Sequence, residues 1–354
     1  IRLMAYSTIP KGSLYMNPVI YTGTGSTRSV TGVGFQPDWT WIKGRSTAYS
    51  HNIYDSVRGV TKIIKSNSDS PEDTQSTSLT AFDTDGFTLG SYDESNYNSR
   101  TYASWNWKAG TAVSGNTTQG GSTAKAYSGS VNTTSGFSII TYLGNGTAGH
   151  AIPHHLGITP EIIITKRLSD AGEWYVYSTG MGNTKHMRLN QTGAEDTANT
   201  IWNNTSPTSS VFTVGTNADV NGSNNPIIAY SFRSVQGYSK MGEYTGNGNA
   251  DGTFVYTGFK PAFVMVKMTS EAQNWGIYDN KRLGYNEVKN VLFPNLSNVE
   301  NTDLAPIDLL SNGFKMRRNA SASDQNNKSG GTYTYMAFAE EPFVASNYNV
   351  ATAR

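Results

Sequence analysis

Tyr142-Leu-Gly-Asn-Gly146 begins the part of the sequence that decides the fold. It leads through Pro160 into the apolar run Ile162-Ile-Ile-Thr-Lys166. The same two features occur in two other parts of the chain. The glycine turns are Tyr21-Thr-Gly-Thr-Gly25, Tyr142-Leu-Gly-Asn-Gly146 and Tyr244-Thr-Gly-Asn-Gly248, and the apolar runs extend from Pro37 to Lys43, from Pro160 to Lys166 and from Pro261 to Lys267. A pattern repeated in this way indicates one structural unit used three times.

Further landmarks keep the same order in each copy. Eight and eleven positions after each lysine stand His51 and Tyr54, Trp174 and Tyr177, and Trp275 and Tyr278. Each copy then has a phenylalanine beside a turn, and it closes on the strand Trp105-Asn-Trp107, Tyr230-Ser-Phe232 or Met336-Ala-Phe338. We expect the recurring aromatic residues to fill the cores of the modules: Trp41, Tyr54, Phe87, Trp107, Tyr177, Phe212, Phe232, Phe263, Tyr278, Phe314 and Phe338.

Local sequence signals are those of β-structure throughout. Five-residue runs of β-branched and aromatic residues, such as Phe263-Val-Met-Val-Lys267, are typical of buried strands, and the closing lysine predicts that each such strand ends at the surface. Turn dipeptides such as Asn145-Gly146 and Asn312-Gly313 separate the runs. No segment has the apolar periodicity of a long amphipathic helix. The sequence therefore predicts an all-β fold of three tandem β-sandwich or jelly-roll-like modules.

The landmarks also predict the domain boundaries. The three β modules are expected at 21–110, 136–236 and 237–343. The segment 111–135 is rich in Gly, Ser and Thr and poor in apolar residues, so we expect an extended or mobile linker there. The flanks, an N-terminal segment 1–20 and a C-terminal tail 344–354, lie outside the modules and are expected to dock to neighbouring subunits.

Composition excludes several classes of protein. The 27 Lys and Arg residues nearly balance the 26 Asp and Glu residues, so the chain lacks the positive charge that holds nucleic acid. It has no cysteine, which excludes disulfides and cysteine-ligated zinc. No apolar run approaches the ~18 residues of a membrane-spanning helix, so no membrane insertion is expected. Charged residues make up only 15% of the chain, and the polar surface is expected to consist mainly of Ser, Thr, Asn and Gly. Such a composition is typical of an extracellular or virion-surface β protein.

Candidate catalytic and metal-binding groups do not recur in the three modules. His150, His154 and His155 lie close together, but Pro153 opposes the helix that would align two of them for a metal. The stretch Asp83-Thr-Asp85-Gly86 resembles the start of a calcium loop, although a simple turn before a strand also explains it. Adjacent carboxylates that a glycosidase would need in a groove look exposed: Glu72-Asp73, Asp93-Glu94 and Glu340-Glu341. We therefore expect no enzymatic activity, no resident metal and no cofactor.

Aromatic residues that do not recur are the candidates for recognition or subunit contact. They lie in loops or at variable positions, where an exposed ring can stack on a sugar or become buried against another subunit. The candidates are Tyr49, Tyr92, Tyr97, Trp202 and Tyr285.

The ordered landmarks resemble a module found in structural proteins of tailed bacteriophages, especially marine and cyanobacterial ones. The resemblance covers nearly the whole chain. It is carried by Gly34-Phe-Gln-Pro-Asp-Trp-Thr-Trp-Ile-Lys43, Tyr54-Asp-Ser-Val-Arg-Gly59, Asp85-Gly-Phe-Thr-Leu89, Tyr102-Ala-Ser-Trp-Asn-Trp-Lys-Ala-Gly110, Trp202-Asn-Asn-Thr-Ser-Pro207 and Tyr335-Met-Ala-Phe-Ala-Glu-Glu-Pro-Phe343.

The resemblance implies a non-enzymatic structural protein on the surface of a phage particle. Such proteins are commonly tail fibre or receptor-binding components, and a capsid decoration or head fibre protein is the first alternative. A carbohydrate-binding adhesin is the second, and a polysaccharide-degrading enzyme is a third class. The expected partners are other virion proteins, further copies of this chain in a homo-oligomer, for which fibre symmetry suggests a trimer, and a glycan of the host surface.

Overall fold

Short runs of β-branched and aromatic residues form strands along the chain, and the prediction of an all-β fold is confirmed. The computed structural model describes residues 7–117, 124–318 and 325–342. The α-helices in these ranges are single turns of four residues, far short of a bilayer's thickness. The strands fall into three repeats, which we number 1 to 3 and which span 16–107, 111–232 and 239–342.

Repeat 1 follows a short 3-10 helix, Gly12–Leu14. Its elements are β1 (Met16–Thr22), β2 (Arg28–Val30), β3 (Trp39–Gly44), β4 (His51–Asp55), β5 (Lys62–Lys65), β6 (Asp73–Thr74), β7 (Leu79–Asp83), β8 (Gly86–Leu89), α1 (Asp93–Asn96) and β9 (Thr101–Trp107). The large sheet has the order β1-β9-β3-β4-β5-β6, and the small sheet has the order β2-β8-β7.

Repeat 2 has two additional strands at one edge of its large sheet and one strand fewer in its small sheet. Its elements are β10 (Thr111–Asn116), β11 (Ala126–Asn132), β12 (Phe137–Leu143), β13 (His150–Pro153), β14 (Ile162–Arg167), β15 (Trp174–Ser178), β16 (Lys185–Arg188), β17 (Asp196–Thr197), α2 (Asn199–Trp202), β18 (Val211–Val214), α3 (Ala218–Asn221) and β19 (Pro226–Phe232). The large sheet has the order β10-β11-β12-β19-β14-β15-β16-β17, and β13 pairs with β18.

Repeat 3 has the fewest strands. Its elements are β20 (Ser239–Thr245), β21 (Phe254–Tyr256), β22 (Phe259–Met268), β23 (Gly276–Asp279), β24 (Ile307–Leu310), β25 (Gly313–Met316) and β26 (Thr332–Pro342). The large sheet has the order β20-β26-β22-β23, and the small sheet has the order β21-β25-β24. All pairings between the described strands are antiparallel. Each repeat has one large and one small sheet, and we describe it as a sandwich of the two.

The central strands of the large sheets are buried on both faces. In β3, Trp39 and Trp41 belong to a core that the three repeats share, whereas Ile42 lies between the two sheets of repeat 1. In β14, Ile164 belongs to the shared core and Ile163 lies inside repeat 2. Successive residues of a strand point to opposite faces, so these continuous apolar runs supply two cores at once.

The closing aromatic strands meet in the shared core. Trp107 of repeat 1 and Phe232 of repeat 2 both contact Phe338 of repeat 3, at ring-centroid distances of 5.5 and 5.8 Å. Trp39 stacks on Tyr230 at 4.7 Å and so joins repeats 1 and 2. Such pairs add about 0.5–1.5 kcal/mol each to the effect of burial alone. The three repeats therefore pack around one aromatic centre.

This packing corrects the expectation that every recurring aromatic fills its own module. Tyr54 and Phe87 lie inside repeat 1, and Tyr177 and Phe212 lie inside repeat 2, as expected. Equal spacing identifies equivalent positions but not the face of the sheet. The remaining landmarks lie in the shared core, which is continuous with the interior of repeat 3: Trp41, Trp107, Phe232, Phe263, Tyr278, Phe314 and Phe338.

Three equivalent seams close the repeats into a ring. At each seam, the backbone N–H of a loop glutamate donates to a backbone carbonyl at the end of a central strand in the next repeat. The bonds are each 2.9 Å long and join Glu72 to Leu168, Glu195 to Thr269 and Glu300 to Arg45. Repeat 1 thus bonds to repeat 2, repeat 2 to repeat 3 and repeat 3 back to repeat 1.

The seam between repeats 3 and 1 contains a buried network of charged groups. Arg282 Nε lies 2.6 Å from Asp279, and Arg282 Nη1 lies 3.0 Å from Glu300. The indole N–H of Trp105, from repeat 1, donates to Asp279 at 2.9 Å. Burial acts to raise the pKa of Asp279, but the charge of Arg282 and these hydrogen bonds hold it below its ordinary value.

One of the other two seams has the same buried pair of charged groups, and the other seam does not. At the seam between repeats 1 and 2, Arg58 pairs with Asp55 at 2.5 Å, and Tyr230 of repeat 2 donates its hydroxyl to Asp55 at 2.7 Å. At the seam between repeats 2 and 3, the equivalent positions hold Ser178 and Met181, which carry no charge. The buried Asp–Arg pair is therefore present at two seams, and an uncharged Ser–Met pair takes its place at the third.

A buried asparagine explains the recurring glycine turn. Asn221 accepts a hydrogen bond from the N–H of Asn145 at 2.9 Å, and its amide donates to the carbonyls of Thr147 and Gly215 at 2.8 and 2.7 Å. The equivalent residues in repeats 1 and 3 are Asn96 and Asn327, which accept from Thr24 and Asn247. The most conspicuous motif of the sequence therefore serves the scaffold.

The segment 111–135, expected to be a linker, instead adds two strands to repeat 2. Strands β10 and β11 extend the large sheet from β12. Ser130 anchors them, because it accepts from the N–H of Gly110 at 2.7 Å and donates to Asp38 at 3.3 Å. Backbone pairing, rather than apolar burial, orders these polar strands. Positions 118–123 lie outside the described residues.

The expected N-terminal docking segment, 1–20, is largely part of the fold in its described residues. Ile9 is buried in the shared core, and β1 pairs with β9 along its whole length. A side chain at Gly12 would meet the carbonyl oxygen of Ala339 at 2.0 Å, so the segment before β1 lies directly against β26. The expected C-terminal tail, 344–354, lies outside the described residues.

Candidate functional site

Three of the five aromatic residues predicted for recognition lie together at one end of repeat 1. Tyr92 and Tyr97 flank the single turn α1, and the side chain of Tyr97 is 42% exposed. Tyr49, on the loop between β3 and β4, lies near enough to Asp93 and Tyr97 for these groups to affect its pKa. Together with Arg100, the three tyrosines form what we call the tyrosine patch.

A buried tyrosine holds this end of repeat 1 in place. The hydroxyl of Tyr102 donates to the carbonyl of Asp93 at 2.6 Å and accepts the N–H of Tyr97 at 2.8 Å. Tyr102 itself stacks on Tyr21 at 5.1 Å inside the repeat. The exposed ring of Tyr97 is therefore attached to a backbone that the core fixes.

Charged groups surround the tyrosine patch. The Arg100 guanidinium lies 5.9 Å from the ring centroid of Tyr97, within the range of a cation–π contact. Glu94 pairs with Lys65 at 3.0 Å, and burial together with the Glu94 carboxylate raises the pKa of Tyr92. Partial burial and the neighbouring Asp93 raise the pKa of the Tyr49 hydroxyl, which remains a neutral donor. Rings, a cation and hydroxyls of this kind can contact another protein or a sugar.

The other two predicted residues do not belong to the tyrosine patch. Trp202 is 2% exposed, and its ring packs against Tyr177 and Phe212 inside repeat 2, at 5.9 and 6.5 Å. The expectation of an exposed ring therefore does not hold for Trp202, because α2 turns it inward. Tyr285 lies on the loop after β23 in repeat 3 and is 63% exposed.

The three neighbouring histidines have separate structural partners. His150 lies between Asn221 Oδ1, at 2.9 Å, and Thr117 Oγ1, at 2.7 Å. His154 donates to the carbonyl of Thr208 at 3.1 Å, and burial lowers its pKa to about 4. In 7–117, 124–318 and 325–342, no group of three histidine or carboxylate side chains is placed to hold a metal ion.

Candidate carboxylates also have structural roles. Asp85 accepts the N–H groups of Gly32 and Gly34, at 3.1 and 2.5 Å, and these bonds lower its pKa. The calcium-like stretch at 83–86 is therefore a capped turn. Each adjacent pair of carboxylates has at least one member in an ion pair: Glu72 with Arg58, Glu94 with Lys65 and Glu340 with Lys260.

Comparison with known proteins identifies one family. The family is described as a domain of unknown function, DUF7483, and it matches residues 11–342. The chain belongs to this family. The match spans all three repeats, so the whole ring, rather than a single repeat, is the family's domain. No curated protein and no solved structure matches the chain.

Each central strand of this family member ends in a buried lysine, contrary to the expected surface position. Lys43, Lys166 and Lys267 are all 0% exposed. Lys43 donates to the carbonyl of Ser297 in repeat 3 at 3.1 Å, and Lys166 donates to the carbonyl of Asp69 in repeat 1 at 3.0 Å. The lysine stems fill the seams, which is why apolar strands can end on them without reaching solvent.

Because of these lysines, we expect the protein to become more stable as the pH rises from 7 to about 9. Burial lowers the pKa of Lys43 and Lys267 to about 7 and that of Lys166 to about 8. An unfolded lysine titrates near ~10.4, so between these values the unfolded chain binds more protons and stability increases with pH. The free energy of unfolding, from urea denaturation, should gain about 2 kcal/mol or more over this interval.

A lysine-to-methionine variant is the matched control for this pH dependence. Lys267→Met removes one titrating group and keeps an apolar stem, so its stability should rise less steeply between pH 7 and 9. A free energy of unfolding that stays level or falls between pH 7 and 9 would contradict the lowered pKa of the lysines in the seams.

Above pH 10, stability should fall, because burial raises the pKa of Tyr54 and Tyr335 while the tyrosines of the unfolded chain ionise.

Two exposed aromatic residues were missed in the sequence. Phe254 and Tyr256, on β21, are 44% and 49% exposed. They do not recur, since the equivalent positions of repeat 1 are Ser29 and Thr31. Aligning the three repeats residue by residue along this strand would have found them.

Proposed function

We propose that this protein is a non-enzymatic structural component of the surface of a tailed-bacteriophage particle, and that it belongs to a tail fibre or receptor-binding appendage. The proposal depends mainly on one observation, which is that the recurring residues have structural roles. The glycine turns, the asparagines that bind them, the central lysines and the closing aromatic residues all build or close the ring. A ring whose recurring groups face inward suits a scaffold better than a catalyst.

The surface supports the same proposal. Strands such as β10 expose mainly small polar residues, which suits a particle that persists outside a cell. The tyrosine patch and Tyr285 are our candidates for contact with a neighbouring subunit or with the host. The resemblance of the ordered landmarks to phage structural modules supports the tail position, and capsid decoration or a head fibre is the alternative.

Labelled particles test this proposal. Gold-tagged antibodies raised against the purified chain should bind purified phage particles that encode it, and the label should lie at the tail. Label on heads would overturn the tail assignment in favour of capsid decoration. Particles that carry no label, and that contain no peptide of this chain by mass spectrometry, would overturn the virion role itself.

A further inference from the structure

Phe254 and Tyr256 form an aromatic platform on the outer face of repeat 3. Between them Val255 is 6% exposed, whereas the two rings are 44% and 49% exposed. Since residues two apart on a strand point to the same face and are separated by about 7 Å, both rings lie side by side on the outside of the small sheet.

The fold does not require these two rings. Val255 pairs with Phe314 just as Val30 pairs with Phe87 and Ile152 pairs with Phe212. The residues on either side are Ser29 and Thr31 in repeat 1, Ala151 and Pro153 in repeat 2, and Phe254 and Tyr256 in repeat 3. Two repeats therefore build the same strand with small or polar residues, and repeat 3 alone carries an exposed aromatic pair there.

Charged groups of both signs border the platform. Lys240 lies with its ammonium group 5.5 Å from the ring centroid of Tyr256, and it donates to the carbonyl of that residue at 2.8 Å. Lys315 is the cross-strand partner of Phe254 and forms an ion pair with Asp251. Hydrogen-bond donors and a carboxylate acceptor thus stand beside the two ring faces.

The platform is too small for a stable protein interface. A fully buried aromatic side chain covers ~150–250 Å², so two half-exposed rings offer on the order of 200 Å². A stable protein partner needs ~800 Å² on each side. A small rigid ligand with an apolar face and polar edges fits this area better. Sugar rings have that form, with C–H groups on a face and hydroxyls around it.

We propose that Phe254 and Tyr256 form a binding site for a neutral saccharide. The rings contact the C–H face of the sugar, while Lys240 and Lys315 donate to hydroxyl oxygens and Asp251 accepts from hydroxyl groups. Asp251 is paired with Lys315 and Arg317, and Arg317 also pairs with Asp308, so the charges at that edge offset one another and favour no ionised sugar. The site is separate from the tyrosine patch and does not depend on the proposed place of the protein in a particle.

Saturation-transfer NMR on the purified chain tests this site. The probes are neutral tetrasaccharides of glucose, mannose, galactose and N-acetylglucosamine, with sialyllactose as the acidic probe. We expect transfer to the C–H protons of at least one neutral probe. The double variant Phe254→Ser, Tyr256→Thr, which copies repeat 1, should weaken that binding at least tenfold with an unchanged melting temperature.

A matched control removes an exposed apolar side chain from another repeat. Ile158→Ser, at a position 54% exposed in repeat 2, should bind the same probe as the unaltered chain does. The proposal is overturned if no neutral tetrasaccharide shows transfer at a probe concentration of about 10 mM, which is tenfold above a Kd of ~1 mM. It is also overturned if the double variant binds equally well, or if only sialyllactose binds. None of these outcomes bears on whether the chain is part of a virion.

Discussion

Replacing Gly144 by alanine is expected to destabilise the protein severely, with a loss of about 4 kcal/mol or more in the free energy of unfolding. A Cβ atom at this position would lie 2.3 Å from the carbonyl oxygen of Gly222 and 2.6 Å from the carbonyl carbon of Asn221. Both are backbone atoms, so no side chain can rotate away. The turn must therefore move, and the hydrogen bond from Asn145 to Asn221 moves with it.

The chain offers a matched control for this substitution. Gly193, in the same repeat, has open space where a Cβ would stand, so Gly193→Ala should change stability by less than about 1 kcal/mol. Urea denaturation followed by tryptophan fluorescence reports both variants, because Trp174 and Trp202 of repeat 2 are buried. If Gly144→Ala unfolds at the same urea concentration as Gly193→Ala, the close approach of the two chain segments is not as described.

The same close approach explains why the repeats could be predicted from the sequence. Alanine at Gly23 or Gly246 would meet a carbonyl oxygen at 2.2 or 2.3 Å, as at Gly144. A backbone contact of this kind tolerates no side chain, so the glycine stays in the sequence at a fixed distance from the strand that follows. The fixed spacing between the glycine turns and the apolar runs was therefore sufficient to predict the turns, the strands and the all-β fold.

The ring could not be predicted in the same way. Whether Trp41 or Ile42 faces a neighbouring repeat depends on contacts with residues more than a hundred positions away, and spacing within a repeat contains no information about them. The buried lysines show the limit most clearly. Lys166 looks like a surface residue at the end of an apolar run, but its acceptor, the carbonyl of Asp69, belongs to another repeat.

The candidate site was predicted only in part for a related reason. Non-recurrence selected Tyr49, Tyr92 and Tyr97 as candidates, but the spacing of these residues in the sequence could not show that they lie together at one end of repeat 1. It also selected Trp202, because a buried aromatic residue that occurs in only one repeat fails to recur just as an exposed aromatic residue does. Recurrence thus identifies the residues that have the same structural role in every repeat. Whether a residue that does not recur is exposed or buried can be seen only in the structure.

Replacing Arg282 by methionine is expected to cost about 3–5 kcal/mol, because it leaves Asp279 buried without its counter-ion. Both side chains of this pair are at most 1% exposed, and Arg282 also holds Glu300 at 3.0 Å. Without the guanidinium, burial raises the pKa of Asp279 above that of the unfolded chain. The folded state then binds the extra proton, so the deficit against the unaltered chain should shrink as the pH falls from 7 to 4.

The uncharged seam of repeat 2 supplies the decisive comparison. Asp279→Ser combined with Arg282→Met copies Ser178 and Met181, and it removes both members of the closest ion pair, while Glu300 keeps its ion pair with Arg45. Since replacing a whole buried pair is often close to neutral, the double variant should regain at least half of the stability that Arg282→Met loses. A double variant less stable than Arg282→Met would show instead that the seam between repeats 3 and 1 needs the ions themselves. In that case the three seams, although equivalent in backbone, would not be interchangeable in their side chains.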